Sequence, residues 1–419
     1  MKNGFMVIII VLLPIYSYTI ENRIELPSSF NPVGSGSRAL AMGGAFIGIA
    51  NDATAASWNP GGLNILEKSE LSIVFSDVRR YEHIKFATNP EGAGKNSINT
   101  DSINYMSFAY PFELYNRHIS FAISYQYLFN FDRHWQFQIN TTDQYHDQYS
   151  YLQTGKLTAI GFSFCVEIMP ELSAGITLNI WDDQLSQNSW TQYIKRRMIS
   201  NVSGNTLRQS LQTEKYTMKG INTTTGLLWQ GKQLSIGFVL KSSFTGEIDH
   251  TYISYQSNTI SQDRLKLPLS FGVGLSWMFS ERFFISMDAY QTKWQDYIYI
   301  SEENKQICPV SGLPVEESDI EPTNQIRFGA EYVYLIPEYQ CAVPLRAGLF
   351  YDPVPDNNHP DDFYGGSFGF GLSFSQFSFD FAYQFRFGKD VNKTMIKARK
   401  FSEDIKEHSL YFSCIYYLN

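Results

Sequence analysis

The sequence lacks the features that mark a helical membrane protein, a nucleic-acid-binding protein or an enzyme. Beyond its first eighteen residues, no apolar run approaches the roughly 18 residues of a membrane-spanning helix. Only 18% of its residues are charged, and a net charge of −8 leaves no basic footprint for nucleic acid. The seven histidines show no zinc-ligand spacing, and there is no Gly-x-Ser-x-Gly or phosphate-loop motif. We therefore expect no catalytic centre, no metal site and no cofactor.

Aromatic residues are abundant, at 16%, and they fall in strand-like stretches. Fourteen such segments are predicted, at 69–86, 104–114, 117–138, 154–169, 172–185, 214–230, 233–248, 264–280, 283–300, 322–337, 341–352, 364–376, 377–388 and 408–419. Connections after even-numbered segments are tight, whereas those after odd-numbered segments, such as 186–213 and 301–321, are long and polar. This asymmetry and the even count predict an all-β fold, a 14-stranded antiparallel transmembrane β-barrel.

Alternation along the segments supports the barrel. The third segment puts on one face Ile119, Phe121, Ile123, Tyr125, Tyr127, Phe129 and Phe131. Its other face carries Ser120, Ala122, Ser124, Gln126, Asn130 and Asp132, with Leu128 as the one exception. Side chains alternate across a strand, so one face can meet lipid while the other lines a lumen. A soluble antiparallel sheet also alternates, but the strand lengths, aromatic content and loop asymmetry favour the barrel.

The N-terminal part divides into two predicted units ahead of a barrel at 69–419. Residues 1–18 are expected to be a secretory signal peptide, with Lys2 followed by an apolar run. Residues 19–68 are rich in Ala and Gly, and Ser37 and Asp52 are placed to cap two short helices. Pro60 disfavours helix at Asn59. Such small helices fit inside a barrel as a hatch; the alternative is an extension packed outside it on the periplasmic side.

Three motifs in this stretch are specific: Ala39-Leu-Ala-Met-Gly-Gly-Ala-Phe46, Asn51-Asp-Ala53 and Trp58-Asn-Pro-Gly-Gly-Leu63. They resemble the N-terminal hatch of the long-chain fatty acid transporter family, the FadL/TodX-type outer-membrane proteins. The third motif is similar to the family's Asn-Pro-Ala signature, with Gly61 in the third position. The resemblance implies passive uptake of hydrophobic compounds, above all long-chain fatty acids, through a gate formed by Phe46, Trp58, Asn59, Pro60 and Gly61.

The resemblance also implies a route for the ligand. Outer loops would capture the ligand, an apolar pocket would hold it, and a shift of the hatch would let it pass. In the family, a kink in the third strand can open a lateral portal to the membrane. The corresponding candidate is 130–133; the alternative, which the sequence slightly favours, is that Asp132 and Arg133 mark the outer rim of the membrane.

Charged residues are also expected in the lumen. Strand parity directs inward Asp288, Arg327, Glu331, Arg346, Asp380 and Arg386. Because buried charges need partners, a salt-bridge network that braces the wall is the favoured interpretation. The alternative is that Arg346, Arg386 or Arg327 binds a ligand carboxylate through its guanidinium group.

Two other functions fit the same architecture. A barrel similar to the PorV type, which shares a Trp-Asn-Pro hatch signature, would instead dock exported proteins during secretion. A general porin is disfavoured because the hatch should block a water-filled pore. As partners we therefore expect hydrophobic small molecules, outer-membrane lipid and lipopolysaccharide, with exported proteins only under the PorV-type hypothesis.

Overall fold

The computed structural model describes residues 34–393 and 400–418. The signal-peptide prediction for residues 1–18 lies outside these residues. Helix is confined to short pieces: α1 Ser37–Ala41, α2 Ala55–Trp58, and the 3-10 helices Pro60–Ile65, Pro90–Gly92, Trp294–Asp296, Val315–Glu317 and Pro337–Tyr339. Within the described ranges, no helix has the length and apolar character needed to cross a membrane.

The rest of the described chain is built around one sheet of twenty strands. In chain order they are β1 Ser69–Phe86, β2 Gly94–Leu114, β3 Arg117–Asn130, β4 Arg133–Thr142, β5 Tyr145–Met169, β6 Leu172–Asp182, β7 Asn188–Ser200, β8 Thr206–Gln230, β9 Leu234–Lys241, β10 Phe244–Ser254, β11 Asn258–Leu267, β12 Ser270–Ser280, β13 Phe283–Thr292, β14 Ile298–Ile300, β15 Gln306–Ile307, β16 Thr323–Ile336, β17 Cys341–Tyr351, β18 Phe363–Ser373, β19 Phe377–Val391 and β20 Phe401–Leu418.

These strands combine into fourteen antiparallel wall strands. Five wall strands are each interrupted once and consist of two pieces: β3 with β4, β6 with β7, β9 with β10, β11 with β12, and β13 with β14. The first two pairs of pieces lie on either side of β5, the third lies along β8, and the last two face each other. The short β15 belongs to an outer connection. β1 pairs with both β2 and β20, so the sheet closes on itself. The predicted fourteen-stranded barrel is thereby confirmed.

The connections differ from the prediction at one end of the barrel. The short turns occur where expected, for example at Tyr115 and Asn116, which take φ values of 52° and 58° in a two-residue hairpin. The predicted loop 186–213, however, is largely strand, because β7 and the start of β8 pair with each other there. Polar side chains such as Gln192 and Arg197 occur on both faces of this extension, so it lacks a clean hydrophobic period from which a strand could be predicted.

The outer face of the wall forms an apolar belt. Phe121 and Ile123 of β3 and Phe162 of β5 are 46–49% exposed, while the alternate residues Ser120 and Ser124 are buried. This is the alternation predicted from the sequence. An exposed apolar band of this kind is stable in lipid, whereas exposure of the same side chains to water would be unfavourable.

One part of the predicted alternation is wrong. The register between β3 and β5 shifts between Tyr127 and Phe129, which marks a β-bulge. Phe129 and Phe131, predicted on the same face as Phe121, are therefore turned inward and buried. One extra residue reverses the two faces of a strand, because side chains alternate with a period of two. Leu128, the exception in the predicted pattern, lies at this bulge.

Candidate functional site

Residues 34–66, here called the interior segment, fill the inside of the barrel. Their helix α1 contacts β17 to β20, and the 3-10 helix Pro60–Ile65 contacts β5, β6 and β8 on the other side. Phe46 and Trp58 are fully buried and meet edge to face at 5.8 Å between ring centroids. The capping prediction for Ser37 is wrong: it is the first helical residue, and its backbone N–H donates to Ser413 Oγ at 2.7 Å.

Asn59 holds the interior segment together and fixes it to the wall. Its Nδ2 donates to the carbonyl of Ile47 at 3.0 Å and to the carbonyl of Leu227 on β8 at 2.9 Å. Its Oδ1 accepts from the backbone N–H of Gly61 at 3.1 Å. The backbone of Asn59 is extended, with φ −145° and ψ 99°, as predicted for the residue before Pro60. One amide side chain thus joins two parts of the segment and one wall strand.

Glycines in the wall give the interior segment its space. At seven glycines, each on a different wall strand, an added Cβ would come within 2.6 Å of the segment: Gly175, Gly226, Gly237, Gly274, Gly329, Gly348 and Gly369. At Gly237 the closest atom would be the carbonyl oxygen of Ile47, at 2.2 Å. These distances are far below van der Waals contact, so any side chain there would push the segment away.

We expect Gly237→Ala to destabilise the folded protein by about 1–3 kcal/mol, as overpacking of a close-packed interior does. Thermal unfolding of the purified barrel in detergent would measure the change. Gly366→Ala on β18 is the matched control, because its Cβ would meet nothing closer than 3.4 Å. Its effect should stay within about 0.5 kcal/mol. Equal effects of the two variants would contradict the close approach at Gly237.

The predicted inward charges form ion pairs. Arg346 contacts Glu331 and lies 2.5 Å from Asp380, and Arg38 of α1 also reaches Glu331 at 3.0 Å. Although burial lowers it, the carboxylates of Glu331 and Asp52 hold the pKa of Arg38 above its ordinary value. This cluster joins β16, β17 and β19 to the interior segment. The geometry therefore favours the bracing role over ligand binding at Arg346.

Arg327 and Arg386 are engaged in the same way. Both pair with Asp352, at 3.0 and 2.9 Å, and Arg327 also donates to the carbonyl of Gly43 at 2.9 Å. Asp288 of β13 accepts hydrogen bonds from the backbone N–H groups of residues 46 and 47 of the interior segment, at 2.7 and 2.8 Å. All three predicted ligand arginines are thus committed to groups of the protein.

A cavity of about 80 Å³ lies on the outer side of the interior segment. Its apolar wall consists of Leu128, Phe129, Trp181, Phe244, Leu267, Pro268 and Trp294. Its polar wall consists of Ser57, Gln126, Asn179, Asn222, Thr224, Lys241, Ser242, Ser270 and Thr292. None of these sixteen lining residues is acidic, and Lys241 is the one cation among them. The cavity is therefore amphipathic, with a cation and several hydrogen-bond donors facing an apolar surface.

Towards the outer mouth, the cavity continues into a larger apolar cluster. This cluster, here called the apolar chamber, contains Phe129, Phe131, Leu157, Ala159, Trp181, Trp190, Tyr216, Met218, Ile248, Leu265, Leu267, Trp294, Tyr297, Cys308 and Ile320. Three of its rings and the ring of His250 beside them stack face to face, in the order Phe131, Trp190, Tyr216 and His250, with centroids 4.4–4.8 Å apart. Aromatic side chains thus line a large part of the outer half of the lumen.

Lys241 was missed by sequence reasoning, although a signal for it exists. It is the last residue of β9, and its register partners are Thr224 of β8 and Ser270 of β12. All three share the inward face. A lysine at an inward position, flanked by hydroxyl side chains rather than carboxylates, is the pattern that could have identified it. That pattern needs the register, which the sequence alone does not supply.

The wall has a weak seam beside the cavity. β2 and β3 are paired only as far as Tyr105 and Gln126, and the third wall strand is interrupted between β3 and β4, within the predicted 130–133 region. In the part of the chain that the structure describes, no backbone ladder joins β2 to β4. A side-chain hydrogen bond crosses instead, from Thr100 Oγ1 to Asp132 Oδ2 at 3.0 Å.

A closed barrel with an apolar outer belt, a filled interior and an aromatic-lined cavity defines an outer-membrane channel for hydrophobic compounds. The chain belongs to the outer membrane protein transport family OMPP1/FadL/TodX, whose family model matches residues 30–411. This confirms the resemblance found in the sequence. It also makes the protein a passive channel of the outer membrane rather than an enzyme. Its short turns then face the periplasm and its long connections the outside.

Solved structures of similar proteins agree in fold. The chain is similar to the CymD monoaromatic hydrocarbon channel, with 17% identity and a TM-score of 0.57 over 93% of this chain and 99% of that one. It is also similar to the Ralstonia pickettii toluene transporter TbuX, with 14% identity and a TM-score of 0.53 over 93% of this chain and 100% of that one. At such identities the likeness is one of fold alone. No curated protein matches the sequence.

Proposed function

We propose that this channel takes up long-chain fatty acids, and that the interior segment is the hatch that gates their path. The observation that carries the proposal is the amphipathic cavity outside the interior segment. A fatty acid has one carboxylate and one long apolar chain. Lys241 can pair with the carboxylate, and amide and hydroxyl groups such as those of Asn222 and Thr224 can hydrogen-bond its oxygens. The apolar wall of the cavity and the neighbouring side chains of the apolar chamber can contact the chain, which needs these side chains to move apart to admit its full length.

The route has an inner and a lateral branch. The interior segment blocks the lumen below the cavity, so passage to the periplasm needs a displacement of this segment. The seam between β2 and the third wall strand lies next to Leu128 and Phe129, which line the cavity. A ligand that leaves there would enter the membrane, so the seam is the candidate for the lateral portal. Contacts with lipopolysaccharide stay a prediction.

The test is uptake of labelled oleate by cells that lack their own transporter. Cells that express this chain should accumulate oleate, and Lys241→Met should lower uptake about tenfold at subsaturating oleate, because a buried charge-assisted contact is lost. Uptake of the uncharged methyl oleate or of toluene should change less than about twofold, since these ligands have no carboxylate. Lys219→Met, which removes an exposed lysine of β8, is the matched control.

Two outcomes would contradict the proposal. Equal loss of oleate and toluene uptake in Lys241→Met would show that Lys241 does not bind the ligand carboxylate. Uptake of toluene but not oleate by the unaltered chain would point to a neutral ligand such as those named for the structural relatives. If neither compound enters while large exported proteins co-purify with the folded barrel, the docking function of a PorV-type barrel takes precedence.

A further inference from the structure

The outer extension of the wall presents a group of cations to the surroundings of the barrel. There β7 pairs with β5 on one side and with β8 on the other. Residues that lie opposite each other, or two apart along a strand, share a face, so Lys195 and Arg197 of β7 and Lys215 of β8 lie on one face. This face points out of the barrel, because the opposite face carries the buried Gln192 and Glu214. The three cations are here called the outer basic patch.

No carboxylate shares this face along the paired stretch of the three strands. The outward residues of β7 are Ser189, Thr191, Tyr193, Lys195, Arg197 and Ile199; their partners are Lys156, Thr154, Leu152, Ser150, Gln148 and His146 on β5, and Thr217, Lys215, Thr213, Leu211 and Gln209 on β8. The acids of this stretch face inward, where Asp147 pairs with Arg196 at 2.7 Å. Two further acids lie at the margins of the face, Asp143 in the turn between β4 and β5 and Asp249 of β10, opposite Thr217. The face is therefore basic, although the whole chain has a net charge of −8.

The cations of the patch have no anionic partner among the residues that the structure describes. Lys195, Arg197 and Lys215 form no ion pair there, and Arg197 donates to the neutral amide of Gln148, from Nη2 to Oε1 at 3.0 Å. A surface of one sign without internal compensation attracts anions. The patch therefore fits an anionic partner outside the protein.

An exposed apolar row borders the patch. Leu152, Tyr193 and Ile253 lie in one register row across β5, β7, β8 and β10, and each is 37–40% exposed. Leu211, opposite Lys195, is also 40% exposed. Lys195 lies two residues further out than Tyr193, which is about 7 Å along the strand. Aromatic and apolar side chains at the rim of a membrane belt, with cations just beyond them, form an arrangement that contacts lipid headgroups.

We propose that the outer basic patch binds the phosphorylated headgroup of the glycolipid in the outer leaflet, lipopolysaccharide. The long connections of this barrel face the outside, so lipid that meets the patch belongs to that leaflet. A phosphate can pair with the ammonium of Lys195 and accept two parallel hydrogen bonds from the guanidinium of Arg197. The acyl chains of the same molecule can lie against the exposed apolar row. This continuity between the belt and the patch favours a lipid phosphate over a free phosphate ion.

The test is binding of lipid A, the phosphorylated and acylated part of lipopolysaccharide, to the full-length channel in detergent micelles with a chelator of divalent cations. Native mass spectrometry over a lipid titration gives the affinity. Lys195→Gln combined with Arg197→Gln should weaken binding at least about tenfold, because two charge-assisted contacts are lost. Lipid A from which the phosphates have been removed should bind the unaltered channel as weakly as intact lipid A binds this double variant.

Lys232→Gln combined with Arg282→Gln is the matched control. Both residues are exposed and lie in short turns at the opposite end of the barrel, so the same loss of charge occurs away from the patch. The affinity of this control should stay within about twofold of that of the unaltered channel. The exchange of Lys195→Arg with Arg197→Lys keeps both charges and should retain most of the binding.

Three results would overturn the headgroup site. The first is an unchanged affinity of the Lys195→Gln, Arg197→Gln variant, and the second is equal binding of intact and dephosphorylated lipid A. The third is complete displacement of lipid A by millimolar inorganic phosphate, which would identify a simple anion site. The assay involves no transported ligand, so failure of this site and failure of fatty-acid uptake can be told apart.

Discussion

Replacing Asn59 with alanine is expected to convert the closed channel into a leaky one. The substitution removes two donated hydrogen bonds, to Ile47 and Leu227, and one accepted from Gly61. Each buried group left without a partner costs about 1–3 kcal/mol. A loss of about 3 kcal/mol shifts a two-state equilibrium roughly 100-fold. Steady current through planar bilayers should rise at least about tenfold above that of the unaltered channel.

Asn64→Ala is the control for this experiment. Asn64 belongs to the same interior segment, but its Oδ1 has no hydrogen-bond partner among the described residues. The same chemical change there should leave the current close to that of the unaltered channel. A folded Asn59→Ala barrel with an unchanged small current would show that Asn59 does not hold the gate. Large currents through the unaltered channel would instead restore the general porin as an explanation.

The barrel could be predicted because its strongest signal is local. Within the lipid belt one face of each strand must be apolar, so residues such as Phe121 and Ile123 recur at every second position. The short hairpins add turn residues at regular distances. Neither signal depends on which strands are neighbours. The strand count, the closed sheet and the inward direction of residues such as Arg346 therefore follow from the sequence.

The arrangement inside the barrel depends on contacts between residues that are far apart in the sequence. Arg38 pairs with Glu331 across 293 positions, and that pairing requires the register of the whole wall. The bulge before Phe129 was hidden because aromatic residues suit both the lipid face and the apolar chamber. Lys241 and His250 gave no local pattern for the same reason: their partners lie on other strands. The sequence therefore predicted the barrel and its inward charges, but it did not predict most of the residues that line the cavity.

Arg346→Ala is expected to have the largest effect on stability. Arg346 is buried and neutralises Glu331 and Asp380 together, so its removal leaves two buried carboxylates with weakened compensation. Breaking a buried ion pair by deleting one partner costs about 3–5 kcal/mol. The free energy of unfolding, measured by denaturant titration of the barrel in lipid vesicles, should fall by that amount.

Arg79→Ala provides the comparison. Arg79 pairs with Asp77 at 3.1 Å on β1, but its side chain is 54% exposed. Water screens such a pair, so its loss should change stability far less than the loss of Arg346 does. If Arg346→Ala instead kept its stability and lost affinity for oleate, Arg346 would be a ligand residue. If Arg346→Lys lost as much stability as Arg346→Ala, the planar guanidinium geometry, and not the positive charge alone, would be needed to hold Glu331 and Asp380 together.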